Sequence, residues 1–158
     1  MMIKLSTTLS ASLGEVWALV KRSDTLTFVA APLVIFKPLE PQGFPRVWQV
    51  GLHRARLSLF GVLSLGAQVI DISYPSPHAL RDNGRGSLAQ TWDHLITLEA
   101  LGHSETRYTD TVNVKAGLLT AFIWAFAHVF YRYRQWRWQR WLGINAAPTP
   151  KEFHEFLP

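Results

Sequence analysis

Hydrophobic and polar positions alternate from Ile3 to Ser10, where Ile3, Leu5, Thr7 and Leu9 share a face, and the spacing predicts a strand. Ser12 followed by Glu15 is a capping-box pattern, and it opens a short helix carrying Val16, Trp17, Leu19 and Val20. A second short helix is expected over Asp24–Ala31, stopped by Pro32. From there the pattern is strand-like. Leu33–Lys37 precedes a Pro/Gly-rich loop, Pro38–Pro45, and a long strand is expected over Arg46–Phe60. Trp48, Val50 and Leu52 share one parity and Leu57 and Leu59 the other, which predicts a bulge near His53–Arg56. Leu65–Tyr74 and a short His78–Asn83 follow, with Gly84-Arg85-Gly86-Ser87 expected as a turn. Leu88–Glu99 alternates cleanly, with Leu88, Gln90, Trp92, His94, Ile96 and Leu98 on one face, and Glu105–Lys115 is the last strand.

The period then changes. Ala116–Leu142 contains no proline and no acidic residue, and predicts one helix about 40 Å long. At 100° per residue, Leu119, Phe122, Phe126, Phe130 and Tyr133 fall on one broad face, with Leu118, Ile123 and Val129 on its shoulders. Trp124, Tyr131 and Trp138, seven apart, lie opposite, with Leu142 closing the line. The first face is expected to meet the core. The second is an aromatic stripe to be covered by a loop, the tail, a second subunit or a membrane surface. The uncharged run Ala116–Tyr131 is short of the ~20 residues a bilayer requires, but arginines interleaved with tryptophans also suit a helix lying in a membrane interface.

The order of strand, two helices, six strands and one long helix predicts an antiparallel meander with the helix packed on its concave side. With 158 residues and no internal repeat, one domain is expected over residues 1–142, with a tail over 143–158. The formal net charge is +5, and Arg132, Arg134, Arg137 and Arg140 of the last helix account for most of it. So local a basicity argues against a nucleic-acid partner. The chain has no cysteine, which excludes disulfides and thiol chemistry, and no spacing of His and Asp suggests a metal or another cofactor. The opening residues lack the apolar run of a signal peptide, so a cytoplasmic protein is expected.

In this order and spacing, the SASLGEVWALV opening, the RLSLFGVLSLG hairpin, the GSLAQTWDH and RYTDTVNV strands and the FYRYRQWRW ending carry a likeness. The chain resembles the SRPBCC/START superfamily, which includes polyketide cyclase/dehydrase-like proteins, from about Ile3 to Leu142. The resemblance implies an α+β helix-grip fold: a curved antiparallel sheet of about seven strands around a long C-terminal helix, with two short helices after the first strand. It also implies an apolar cavity. It does not imply a particular reaction, because the superfamily mixes carriers and enzymes.

His94 and Asp110 are the candidate chemical pair. A turn centred on Gly102 would place them opposite each other on the inner face, where the carboxylate could orient the imidazole for acid/base work. A satisfied structural pair, or Asp110 paired with Arg134, accounts for the same residues. Expected cavity residues are Trp48, Ile70, Ile72, Trp92, His94, Tyr108, Asp110, Phe122 and Phe126. Three functions follow: binding of a hydrophobic or aromatic small molecule or lipid between sheet and helix; a cyclase/dehydrase-type enzyme using His94 and Asp110; or a membrane-associated or oligomeric protein, such as a homodimer, working through the Trp124/Tyr131/Trp138 stripe.

Overall fold

In the computed structural model, which describes residues 1–145, seven antiparallel strands form one sheet in the order β1-β7-β6-β5-β4-β3-β2. The strands are β1 Met2–Leu9, β2 Val34–Pro38, β3 Gly51–Leu59, β4 Leu63–Ser73, β5 Ala79–Gly86, β6 Thr91–Ala100 and β7 Thr106–Lys115. Two short helices, α1 Leu13–Val20 and α2 Ser23–Ala30, follow β1. A 3₁₀ turn at Gly117–Leu119 leads into α3, Thr120–Asn145. This is the helix-grip architecture. Most of the expected 143–158 tail lies outside the described residues, and its first three residues continue α3.

Local chemistry sets the boundaries. At the start of α1 the Ser12 hydroxyl accepts from the Glu15 N–H, and the Glu15 carboxylate accepts from the Ser12 N–H at 2.9 Å, which completes the capping box. The register of β3 against β4 shifts between Leu57 and Ser58, just past the expected His53–Arg56, and the extra residue is Leu65 on β4. Trp48 is buried ahead of the strand while Val50 and Leu52 are exposed, so their shared parity did not mark one buried face. Gly84 and Gly86 extend β5 instead of forming a turn. A Cβ at either would run into the Gln68 side chain and the backbone of β4, which is why glycine stands there.

The long helix presents a different face to the sheet from the one expected. Ile123, Ala127, Phe130, Tyr131, Arg134, Gln135, Trp138 and Leu142 are buried. Leu118, Leu119, Phe122 and Val129 are exposed, Phe122 to 77 %. Tyr131 and Trp138 are thus core residues, and Trp124, half-buried, donates its indole N–H to the Met2 carbonyl at 3.1 Å. The proposed free stripe does not exist. Arg134 and Gln135 lie on the same face as Tyr131 and Trp138, at i, i+3, i+4 and i+7, and the sheet meets Gln135 with the Leu5 carbonyl and the Asp110 carboxylate. The core forms two clusters along α3. One gathers Leu9, Val16, Val20, Trp48, Ile72, Leu80, Trp138 and Leu142; the other gathers Ile3, Val34, Val112, Val114, Ile123, Ala127 and Phe130.

Candidate functional site

The inner face of β5, β6 and β7 carries an imidazole and two carboxyl groups among largely apolar neighbours. His94 on β6 stands opposite Asp82 on β5 and opposite Val112 on β7. Asp110 stands opposite Ile96, so the β6–β7 turn is centred on His103, two places out of the expected register. The pair still meets, diagonally, because residues two apart share a face. His94 Nε2 donates to Asp110 Oδ1 at 2.7 Å.

Asp110, fully buried, is held by three donors. Besides His94, the Tyr108 hydroxyl donates to Oδ1 at 3.0 Å and Gln135 Nε2 donates to Oδ2 at 2.9 Å. Burial raises the carboxyl's pKa, but the bond from His94 and the charges around it outweigh burial and leave the pKa below the usual carboxylate range. Burial of His94 acts the other way and holds the imidazole below its ordinary range against the pull of Asp110. The site therefore contains an ionised carboxylate and a neutral imidazole that donates from Nε2, which leaves Nδ1 as the ring's acceptor. Asp82 accepts the Asp71 N–H at 2.8 Å where the β4–β5 ladder is interrupted, and loss of water around its carboxyl pushes the pKa up to about 8.

Between these residues and α3 lies a cavity of about 40 Å³. It is room for about three waters and too small for a lipid. Val20, Thr25, Leu26 and Val29 of α1 and α2 close one side, and Trp48, Ile70, Ile72, Leu80, Ile96 and Tyr108 supply most of the rest. Asp82, His94, Arg134 and Trp138 complete the wall. Of the expected lining, Trp48, Ile70, Ile72, His94 and Tyr108 are there. Asp110 sits behind His94 and Tyr108. Trp92 lies along α3 from the cavity and donates its indole N–H to the Tyr131 hydroxyl at 3.1 Å. Phe126 stacks on Phe130 in the second core cluster, and Phe122 faces outward.

Three wall residues carry buried polar atoms with no hydrogen-bond partner: Thr25 Oγ1, Arg134 Nε and Trp138 Nε1. All three can donate. Arg134 is 4 % exposed, lies over the Tyr131 and Phe130 rings, and has no carboxylate within 4 Å among the described residues. A buried guanidinium without a paired carboxylate is costly. The sequence brought in Arg134 as a possible partner of Asp110, whose hydrogen bonds instead come from His94, Tyr108 and Gln135. Asp82 was missed although it lies inside the expected His78–Asn83 strand, two places from Leu80 on the same face. Among the described residues no group of three His, Asp or Glu side chains is placed to hold a metal ion.

Neither a family model nor a curated protein matches this chain in sequence. Solved structures do match in shape. A Chromobacterium violaceum protein is 16 % identical with a TM-score of 0.70, the match covering 89 % of this chain and 96 % of that one. A START superfamily protein from Mycobacterium smegmatis is 15 % identical with a TM-score of 0.64, covering 92 % and 99 %. An aromatase/cyclase from Streptomyces sp. R1128 is 12 % identical with a TM-score of 0.64, covering 94 % and 98 %. At these identities the likeness is one of fold, and it is the SRPBCC/START-like helix-grip fold.

Proposed function

We propose that the chain binds a small molecule in the cavity between sheet and α3, and that this molecule has an apolar body and an anionic oxygen group such as a carboxylate. The observation that carries the reading is the cavity wall itself. Three residues of a mostly apolar wall carry buried donors without partners, and one of them is a cation. A carboxylate accepts from several donors at once and supplies the counter-charge that Arg134 lacks. Asp82, kept protonated by burial, adds a hydroxyl donor instead of a repelling charge. The apolar side chains then take the body of the ligand. Ligands larger than the present space require wall side chains such as Leu26 of α2 to move aside.

A second reading rests on His94. It is a neutral imidazole on the cavity wall, oriented by an ionised carboxylate, and so has the form of a general base acting through Nδ1. It makes the bound acid a substrate instead of a cargo. The known activity of a fold relative, an aromatase/cyclase, is compatible with such chemistry.

The test is a thermal-shift screen of short aliphatic and aromatic carboxylic acids beside their amides and alcohols. Acids are expected to raise the melting temperature of the native chain and not of Arg134→Met, with the neutral analogues inert. Stabilisation by alcohols as strong as by acids, or stabilisation that survives Arg134→Met, contradicts the reading.

A further inference from the structure

The register of the sheet collects the molecule's apolar protrusions at one end. Lys115 pairs with Thr91, Gly86 with Gln68, and Leu59 with both Leu63 and Val34. The β3–β4 tip, the β5–β6 turn, the start of β1 and the entry to α3 therefore lie at the same end of the sheet. Val62 is 86 % exposed, and Phe60, Leu63, Leu88, Leu118, Leu119 and Phe122 are exposed with it. Large apolar side chains gathered in water at one end of the molecule mark a contact surface.

Charge identifies the occupant. Lys4, Arg85 and Lys115 stand within a few residues of these tips, and Lys37 pairs across strands with Arg56 close behind. All five are exposed, and none has a carboxylate within 4 Å among the described residues. The acidic residue of this end, Asp93, is taken by Arg81 at 2.8 Å. Glu15, Glu99 and Glu105 lie at the opposite end, by α1 and the β6–β7 turn. A second copy meeting this end would bring its own cations against these. A surface that takes apolar tips and attracts a ring of cations is an anionic lipid bilayer. Among the described residues no helix is long and apolar enough to cross it, so contact is peripheral.

The geometry points to docking of this end on anionic membranes, with Phe60, Val62 and Leu63 from one side and Leu118, Leu119 and Phe122 from the other entering the headgroup layer. The cavity lies toward the other end of α3, so this docking does not depend on the ligand proposed above. The experiment is co-sedimentation of the full chain with phosphatidylcholine vesicles, with and without phosphatidylglycerol, at low and high salt. Binding is expected only with phosphatidylglycerol, weakening with salt. Val62→Asp and Phe122→Asp, at largely exposed positions, should each weaken it about tenfold. Each of Lys4→Gln and Lys115→Gln should weaken it about fivefold. Circular dichroism confirms that the variants remain folded. Absence of binding to phosphatidylglycerol vesicles, or binding unchanged by both aspartates, overturns the proposal. So does a dimer seen by light scattering that Val62→Asp or Phe122→Asp converts to monomer, because it assigns the surface to a second copy.

Discussion

Asp110 has no solvent and three donors, and that fixes what its neighbours can do. Removing His94 leaves Asp110 short of one donor inside the core. His94→Ala is expected to destabilise the fold by about 1–3 kcal/mol, and Asp110→Asn to disturb the same network. The double mutant should lose less than the sum of the two, as denaturant melts of the three variants can show; strict additivity would mean the contact carries no energy. Titration adds a second test. Asp82 has its native pKa raised to about 8 from an ordinary 3.8, so the native state holds a proton that the unfolded chain has released. Stability tied to it is complete below pH 3.8 and is lost as pH rises toward 8. His94 has its native pKa lowered from 6.5, so its contribution is present above 6.5 and is lost as pH falls below that value. Asp82→Asn should flatten the decline on the alkaline side, and His94→Gln the decline on the acid side, in melts taken across pH 5–8. The His94–Asp110 contact was legible in the sequence although its register was not. Parity places both on the inner face whatever the loop length, but only the geometry of Leu101–Glu105 decides which residues stand opposite.

At the scale of elements, α1 and α3 show opposite degrees of legibility. The capping box at Ser12 is a local device, and its two hydrogen bonds form as the sequence implies. Ser12→Ala should cost about 1 kcal/mol in a thermal melt. The buried face of α3 depends on what the sheet offers, and no local rule contains that. Counting large apolar residues favours Phe122 and Phe126. The fold instead buries Ala127 tightly against the sheet and accepts Arg134 and Gln135, because Asp110 and the Leu5 carbonyl await Gln135 Nε2. Hence Ala127→Leu is expected to destabilise by about 1–3 kcal/mol through overpacking. Phe122→Asp, which enlarges nothing and buries nothing, should stay within about 0.5 kcal/mol of the native chain. The reverse ranking would restore the helix face inferred from side-chain size.

Across the whole molecule, the two ends of α3 divide the work. Its C-terminal half, with Arg134 and Trp138, closes a small polar-tipped cavity against the sheet, while its first turns project apolar residues into solvent. The helix-grip architecture was legible because strand alternation, turn residues and one long proline-free segment all agree with it. The cavity's contents were not, since its polar wall is assembled from α2, β5, β6 and α3 and no one segment displays it. The central claim is that Arg134 awaits an anionic group. The most direct measurement is isothermal titration of the native chain and of Arg134→Met with the acid that stabilises it best, repeated at pH 6.5 and pH 9. Expected are one site per chain, a loss of about 1.5–3 kcal/mol in Arg134→Met as for a charged hydrogen bond, and weaker binding at pH 9, where Asp82 has ionised beside the ligand. Equal affinity in the two proteins, or binding that strengthens at pH 9, would contradict it.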